Sequence, residues 1–158
     1  MFDRAGAVRA CDRGRDGDVK VVVWLGVLIL LVAANFAAWV RFAPSDPARW
    51  HVAPEITGDE DLTGGVKRRV AGAGPEALRR VDAIARATPR TQVLAGSVAE
   101  GMVTYVTRSA LWGFPDYTTV AQEGDDLIIH GRLRFGTSDM GVNRARVDRW
   151  IAALRAES

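Results

Sequence analysis

Residues 126–135 read DLIIHGRLRF, and this stretch decides the fold of the C-terminal half of the chain. Successive side chains of a β-strand point to opposite faces of its sheet. One face of this stretch is apolar and consists of Leu127, Ile129, Leu133 and Phe135. The other face carries three polar groups and consists of Ile128, His130, Arg132 and Arg134. The alternation therefore predicts a strand with one face against a core.

Three further strands are predicted on the N-terminal side of this stretch. They cover residues 91–98, 102–109 and 117–121, which are rich in β-branched side chains. Turn residues separate the four segments, including Gly101, Gly113 and Gly124. Short connections join strands that run antiparallel, so the four segments are expected to form a four-stranded antiparallel meander.

Two helices are predicted to flank this meander. The first opens at Pro75, because proline suits a first helical turn, and ends at Thr88 before Pro89. The second follows Ser138 or Asp139, either of which can cap it. The apolar faces of the two helices consist of Leu78, Val81, Ile84 and Ala85, and of Val147, Trp150, Ile151 and Leu154. Residues 75–158 are thus expected to form an α+β domain with both helices on one face of the sheet.

Residues 41–74 connect this domain to the N-terminal part of the chain. They contain three prolines, five glycines and the acidic run Asp59-Glu60-Asp61. Proline and glycine at this density disfavour long helices and strands. The sequence therefore predicts a stalk over residues 41–74.

Residues 21–40 read VVVWLGVLILLVAANFAAWV, in which Asn35 is the one polar side chain. Twenty helical residues span about 30 Å, the thickness of a bilayer core. Trp24 and Trp39 lie near the two ends, where indole rings favour the interface. The segment is therefore predicted to be an uncleaved transmembrane helix. A cleaved signal peptide is the alternative, with a cleavage site at Val32-Ala33-Ala34.

Basic residues on the two sides of this segment predict its orientation. Residues 1–20 carry five Arg or Lys, whereas the 20 residues after the segment carry two. The positive-inside rule then places the N-terminus in the cytoplasm of a bacterium and residues 41–158 in the periplasm, on an inner-membrane anchor. Residues 1–20 alternate in charge without an apolar period, and a disordered tail is expected there. Val19, followed by Lys20 and the apolar block, also resembles a start site, so residues 1–18 are open to a second interpretation as an annotation error.

The composition excludes several classes of protein. The 158 residues carry 21 basic and 19 acidic side chains without the basic stripe typical of nucleic-acid binders. Cys11 is the single cysteine, which excludes a disulfide framework and a thiolate zinc site. His51 and His130 are the two histidines, and they lack metal-ligand spacing. No metal and no cofactor is therefore predicted.

Residues 112–154 contain an ordered series of motifs. The series comprises an aromatic–aspartate step at Phe114 and Asp116, an Arg-x-Arg strand end at Arg132 and Arg134, and a Gly-x-Ser-Asp-x-Gly-x-Asn-Arg-x-Arg segment over residues 136–146. This series resembles the bacterial and plant family known as domain of unknown function 1499, and the resemblance covers about residues 44–154. The family has no established activity, so the resemblance implies a fold and leaves the function open.

The chain departs from the family pattern at three positions. Gly131 and Leu133 stand where the family often has serines, and Tyr117 stands where a second acid is common. These departures weaken any argument that a serine-rich site is intact.

The motif residues are open to two interpretations, a structural one, which is favoured, and a candidate site that would bind an anion. Free N–H groups at a helix N-terminus and arginine guanidiniums both favour carboxylate or phosphate. Asp139 is expected to cap the last helix, and Asp116 to pair with an arginine such as Arg134. The candidate ligand-binding residues are Arg132, Arg134, Ser138, Asn143 and Arg144.

The sequence favours a non-catalytic function. The alternative is a membrane-proximal hydrolase with Ser138 or Ser109 as nucleophile and His130 as base, but no GxSxG elbow supports it. The chain is therefore predicted to be a tethered binding or accessory module of the cell envelope. Its expected partners are the lipid bilayer and either envelope proteins or a small anionic ligand.

Overall fold

A computed structural model describes the backbone of residues 5–156 and the side chains of residues 17–156. The chain divides into two compact units, Met1–Trp39 and Val40–Ser158. Helix α1 (Ala5–Phe42) forms the described part of the first unit and contributes its last residues to the second.

Within α1, the segment Gly17–Phe42 is long and apolar enough to cross a membrane, judged by length and composition. Its large apolar side chains are exposed, as Trp24 (71%) and Leu30 (70%) illustrate. The Asn35 side chain donates a hydrogen bond from Nδ2 to the carbonyl of Leu31 at 2.8 Å, so the amide is satisfied within the helix. A membrane anchor and a signal sequence both have these properties.

The backbone is helical from Ala5 onward, where the charge pattern predicted a disordered tail through residue 20. Starting a helix is costly, but extending an existing helix by one turn costs little. The apolar segment supplies the nucleus, and the polar residues before it continue the helix. Residues 1–4 of the predicted tail lie outside the described residues.

The second unit contains a six-stranded antiparallel sheet in the order β1-β2-β6-β5-β4-β3. The strands are β1 (Glu60–Leu62), β2 (Gly65–Val70), β3 (Thr91–Ser97), β4 (Met102–Arg108), β5 (Pro115–Glu123) and β6 (Asp126–Leu133). The helices are α2 (Pro47–Trp50), α3 (Ala77–Ala87) and α4 (Val142–Ala156). The α+β class is confirmed, and β3 to β6 form the predicted meander, but the predicted number of four strands is wrong.

The two additional strands come from residues 41–74, which were predicted to be a stalk. Gly64 belongs to the turn between β1 and β2, and Gly65 pairs with Arg132 of β6. A Cβ atom at Gly65 would lie 2.3 Å from the carbonyl oxygen of Gly131, so only glycine allows this strand approach. The glycines that disfavoured strands in the sequence therefore serve a tight turn and a close contact, and this segment completes the sheet.

Helices α3 and α4 cover one face of the sheet, as predicted, and the main core lies between them and the strands. Tyr105 and Trp150 meet edge to face, with ring centroids 5.6 Å apart. The polar atoms of both rings are satisfied, since Tyr105 donates to Asp82 at 2.8 Å and Trp150 donates to Thr88 at 2.9 Å. The buried members of this core include Val66, Leu78, Val81, Val103, Val120, Leu127, Ile129, Val147 and Leu154.

The opposite face of the sheet is covered by residues 43–56, which we call the strap. Trp50 of the strap stacks on Tyr117 of β5 with ring centroids 3.9 Å apart, and both side chains are buried. His51 forms a hydrogen bond of 3.0 Å from Nδ1 to the hydroxyl of Thr104. The strap gives the sheet a second, smaller core, so each face of the sheet is covered.

The strand register defines two ends of the sheet. One end, which we call the loop end, carries the β1–β2 turn and the segments 88–90, 109–114 and 134–141. The other end, which we call the far end, carries the segments 71–76, 98–101 and 124–125. The loop end holds all the candidate motif residues that lie outside regular strands and helices.

Candidate functional site

Arg132 lies on the strap face of β6 and holds the strap to the sheet. Its Nη2 donates to the carbonyl oxygen of Trp50 and to the hydroxyl of Thr119. The guanidinium also lies over the Trp50 ring, 5.3 Å from the centroid. Burial lowers the pKa of Arg132 below its usual value. Arg132 is therefore engaged by the chain's own backbone and an aromatic ring.

Arg134 makes a similar contact nearer the start of the strap. Its Nη1 donates to the carbonyl of Pro44 at 2.9 Å and to the hydroxyl of Tyr117 at 3.1 Å. The same Tyr117 hydroxyl shares a hydrogen bond of 2.7 Å with Ser45. Arg132 of β6 and Arg134, which follows the strand, thus both bind strap carbonyls.

Asp139 and Ser138 lie at the start of α4. The Asp139 carboxylate accepts the backbone N–H of Gly141 at 2.9 Å and that of Asn143 at 3.0 Å, which is the predicted capping arrangement. The hydroxyl of Ser138 accepts the N–H of Met140 at 3.3 Å. The helix N-terminus is therefore occupied by a carboxylate of the chain itself, which would repel an external anion.

Asp116 pairs with Arg146, and the predicted pairing with Arg134 is wrong. The Asp116 carboxylate lies 3.2 Å from Nη2 of Arg146, whose Nη1 donates to the buried Asn143 at 2.8 Å. Burial raises the pKa of Asp116, although the charge of Arg146 acts in the opposite direction. Asp116 lies opposite Leu133 in the sheet, so its side chain and that of the next residue, Arg134, point to opposite faces and cannot meet.

Arg144 is exposed and pairs with Asp61 at 3.0 Å. Asp61 also contacts Arg68 at 2.7 Å, and Arg68 contacts Asp148 at 3.0 Å. The hydrogen bonds from Arg68 and Arg144 lower the pKa of Asp61. The five residues predicted to form one anion site are thus distributed over the strap face, the α4 cap and this surface network.

Ser109 and His130, a nucleophile and base of the hydrolase alternative, lie far apart. Ser109 follows β4 and accepts the N–H of Phe114 at 3.0 Å, whereas His130 lies opposite Thr119 in the sheet. Five residues along the strands and two strands across give roughly 20 Å between them. Burial lowers the pKa of His130 to about 4, and the charges of Arg132 and Lys67 act in the same direction. Among the described residues, no group of three or more His, Cys, Asp and Glu is placed to hold a metal ion.

A basic cavity lies at the loop end, and its arginines were not among the candidate residues of the sequence analysis. Its volume is about 410 Å³, and its eight lining residues include three arginines and no acid. They are Arg41, Phe42, Arg90, Gln92, Val106, Arg108, Ser109 and Ala110.

Two of the cavity arginines are held in place by hydrogen bonds from their side chains to backbone carbonyls. Arg90 Nε donates to the carbonyl of Arg108 at 3.1 Å, and Arg108 Nη1 donates to the carbonyl of Gly113 at 3.1 Å. Arg90 itself has a left-handed backbone (φ 60°), which is uncommon for a residue other than glycine. The three arginines come from positions 41, 90 and 108, so no local motif could have indicated them.

Comparison with known proteins gave one match. A family model described as "Protein of unknown function (DUF1499)" matches residues 44–154. No curated protein and no solved structure matches the chain. The matched range begins with the strap and includes β1 and β2, in agreement with the extent of the folded unit.

Proposed function

The chain belongs to the DUF1499 family of proteins of unknown function, and we propose that it is a membrane-anchored, non-catalytic binding module of the bacterial cell envelope. The observation that carries this proposal is the basic cavity at the loop end. Arg41, Arg90 and Arg108 line it without an acidic neighbour. Guanidiniums bind phosphate and carboxylate groups through paired N–H donors. The proposed ligand is a small molecule or headgroup that carries such an anion.

The surroundings of the candidate nucleophiles support binding over hydrolysis. Ser109 lines the cavity, yet His130 lies on the strap face two strands away, and His51 is bonded to Thr104. A serine nucleophile needs a base within hydrogen-bond reach. Without that base, the cavity is suited to hold an anion and lacks the groups to activate water or serine.

The proposed location is the inner membrane, with the N-terminus in the cytoplasm and residues 41–158 in the periplasm. Five basic residues before the apolar segment and two after it support this orientation. An uncleaved anchor is also supported by Phe36 and Trp39, whose exposed rings would face water after cleavage before Asn35.

A reporter fusion tests the topology. Alkaline phosphatase, which is active only in the periplasm, is expected to be active when fused after Ser158. A cytoplasmic reporter at the same site is expected to be inactive. Activity of the cytoplasmic reporter would reverse the orientation, and a mature N-terminus at Asn35 in mass spectrometry would show a cleaved signal peptide.

Phosphate titration tests the anion site. The full chain in phosphatidylcholine nanodiscs is expected to melt at a higher temperature as inorganic phosphate replaces chloride at constant ionic strength. Saturation to 100 times Kd would add about 2.7 kcal/mol of stability by mass action. The double variant Arg90→Gln/Arg108→Gln is expected to lose this phosphate-dependent shift, whatever its own starting stability.

The matched control for this experiment is Arg79→Gln. Arg79 is an exposed arginine on α3 that pairs with Glu76 and lies outside the cavity. Its substitution is expected to leave the phosphate-dependent shift unchanged. An equal shift in the double variant and in the wild type would place phosphate elsewhere and reject the proposed site.

A further inference from the structure

The exposed apolar side chains of the second unit are concentrated at the loop end. Among its described residues, six large apolar side chains are exposed, and five of them lie in or beside the loop-end segments. The most exposed of these are Met140 (91%) and Leu111 (81%). The five are Phe42, Leu111, Trp112, Met140 and Val142. A set of apolar side chains at one end of a domain indicates a surface that contacts something other than water.

The charged side chains are also distributed unequally between the loop end and the far end of the sheet. The loop end carries the three cavity arginines, and the acids in or beside it are engaged within the chain. Asp139 accepts two backbone N–H groups at the start of α4, Asp116 pairs with Arg146, and Asp61 pairs with Arg68 and Arg144. The far end carries five acidic residues in its turns and strand ends, of which three pair with Arg69 or Arg79. These five are Glu76, Glu100, Glu123, Asp125 and Asp126. The loop end is therefore suited to a negatively charged surface, and the far end is not.

Chain connectivity joins this surface to the end of the apolar segment. The segment that can cross a membrane ends at Phe42, and Arg41 and Phe42 themselves line the loop-end cavity. A glycine at position 113 also lies close to Arg41, since a Cβ atom on Gly113 would be 3.4 Å from its guanidinium. The residues at which the chain would leave a bilayer are thus part of the loop end.

We propose that the loop end docks on the surface of the bilayer that holds α1, with Leu111, Trp112 and Met140 in the interfacial layer and the cavity arginines at anionic lipid headgroups. This inference rests on the proposed membrane anchor. Indole rings favour the interface, and arginines beside a membrane are attracted by anionic lipid. In this arrangement the loop end faces the membrane, and the acidic far end points away from it.

Fluorescent probes at single cysteines test the docking. In a Cys11→Ser background, the full chain carries Leu111→Cys or Met140→Cys labelled with a polarity-sensitive fluorophore. Nanodiscs contain equal parts of phosphatidylethanolamine and phosphatidylglycerol, with nitroxide-labelled lipid added as a quencher. Both probes are expected to emit at shorter wavelength and to lose intensity when the nitroxide lies near the headgroups. Glu100→Cys at the far end is the matched control, and its emission is expected to stay unchanged.

A Leu30→Cys probe in the apolar segment separates the anchor from the docking. Quenching at Leu30→Cys without quenching at positions 111 and 140 overturns the docking and leaves the anchor intact. No quenching at Leu30→Cys by a nitroxide placed deep in the acyl chains overturns both, because Leu30 lies near the middle of the apolar segment. A blue shift at 111 and 140 without nitroxide quenching identifies a second copy of the chain or another protein as the occupant, and rejects the lipid.

A charge inserted at the surface provides a second measurement. Leu111→Glu/Trp112→Glu changes exposed residues only, so the fold is expected to persist, and the nitroxide quenching of the Met140→Cys probe is expected to be lost. Val52→Glu, an exposed strap position, is the control and is expected to keep this quenching. Unchanged quenching in the Leu111/Trp112 variant would contradict the proposed contact.

Discussion

Arg146→Ala is expected to lower the free energy of unfolding by about 3–5 kcal/mol, because it leaves the buried Asp116 carboxylate without its partner. Both side chains of the pair are largely buried, with 6% of Arg146 and 17% of Asp116 exposed. The substitution also removes the hydrogen bond that Arg146 donates to the buried Asn143. Urea denaturation of the full chain in detergent measures the loss.

The pH dependence of this loss identifies its cause. Burial already raises the pKa of Asp116, and the removal of Arg146 takes away the opposing charge. A carboxyl with a higher pKa in the folded than in the unfolded state binds its proton more tightly when folded. The Arg146→Ala variant is therefore expected to recover stability as the pH falls toward the unfolded-state pKa near 4.

Two further variants check this explanation. Arg134→Ala removes a pair of hydrogen bonds at the strap edge and is expected to cost only about 1–2 kcal/mol. Asp116→Asn combined with Arg146→Ala is expected to restore part of the stability and to remove the pH dependence. A cost of Arg134→Ala equal to that of Arg146→Ala would show that the carboxylate has a different partner.

Trp50→Ala is expected to cost about 3–5 kcal/mol, the usual effect of deleting a buried tryptophan side chain. The ring stacks on Tyr117 and lies under the guanidinium of Arg132, so its loss opens a space at the centre of the strap face. The Thr119 hydroxyl and the Arg132 guanidinium also donate hydrogen bonds to the Trp50 carbonyl, and these hydrogen bonds depend on the strap staying in place.

Val52→Ala is the matched control for the strap. It lies two residues after Trp50, and half of its side chain is exposed, so its truncation is expected to cost less than about 0.5 kcal/mol. Hydrogen exchange adds a second measurement, since Trp50→Ala is expected to speed exchange along the strap while the α3–α4 core stays protected. Equal effects of the two substitutions would mean that the strap contributes little to stability.

The strands and helices could be predicted wherever the periodic pattern of apolar residues extended over many positions. The alternation of Leu127 and Ile129 with His130 and Arg132 predicted β6, and both helices followed from their apolar stripes. The β1–β2 hairpin could not be predicted in the same way. Its strands are short, its polar residues form ion pairs across the sheet, and Gly64 and Gly65 resemble linker glycines until their neighbours are known.

The candidate site was only partly predictable, because sequence neighbours are not always spatial neighbours. Asp139 was correctly expected to cap α4, since capping depends on residues two to four positions away. Arg132 and Arg134 come close to Asp139 in sequence, yet strand alternation directs them to the strap face and α4 packs on the other. Arg146 pairs with Asp116 across 30 residues, and the cavity arginines, at positions 41, 90 and 108, are also far apart in sequence.

The strap also determines where a protease could separate the folded unit from the apolar segment. Val40 and Ala43 are already buried, and the strap follows at once, so hardly any chain is left between the apolar segment and the fold. A cut within residues 44–56 would sever the segment that carries Trp50 and expose the face around Tyr117 to water. Shedding of an intact domain by cleavage in residues 44–74 is therefore disfavoured. A cut there is expected to destabilise the fold, whereas release of an intact unit requires a cut within the last turns of α1.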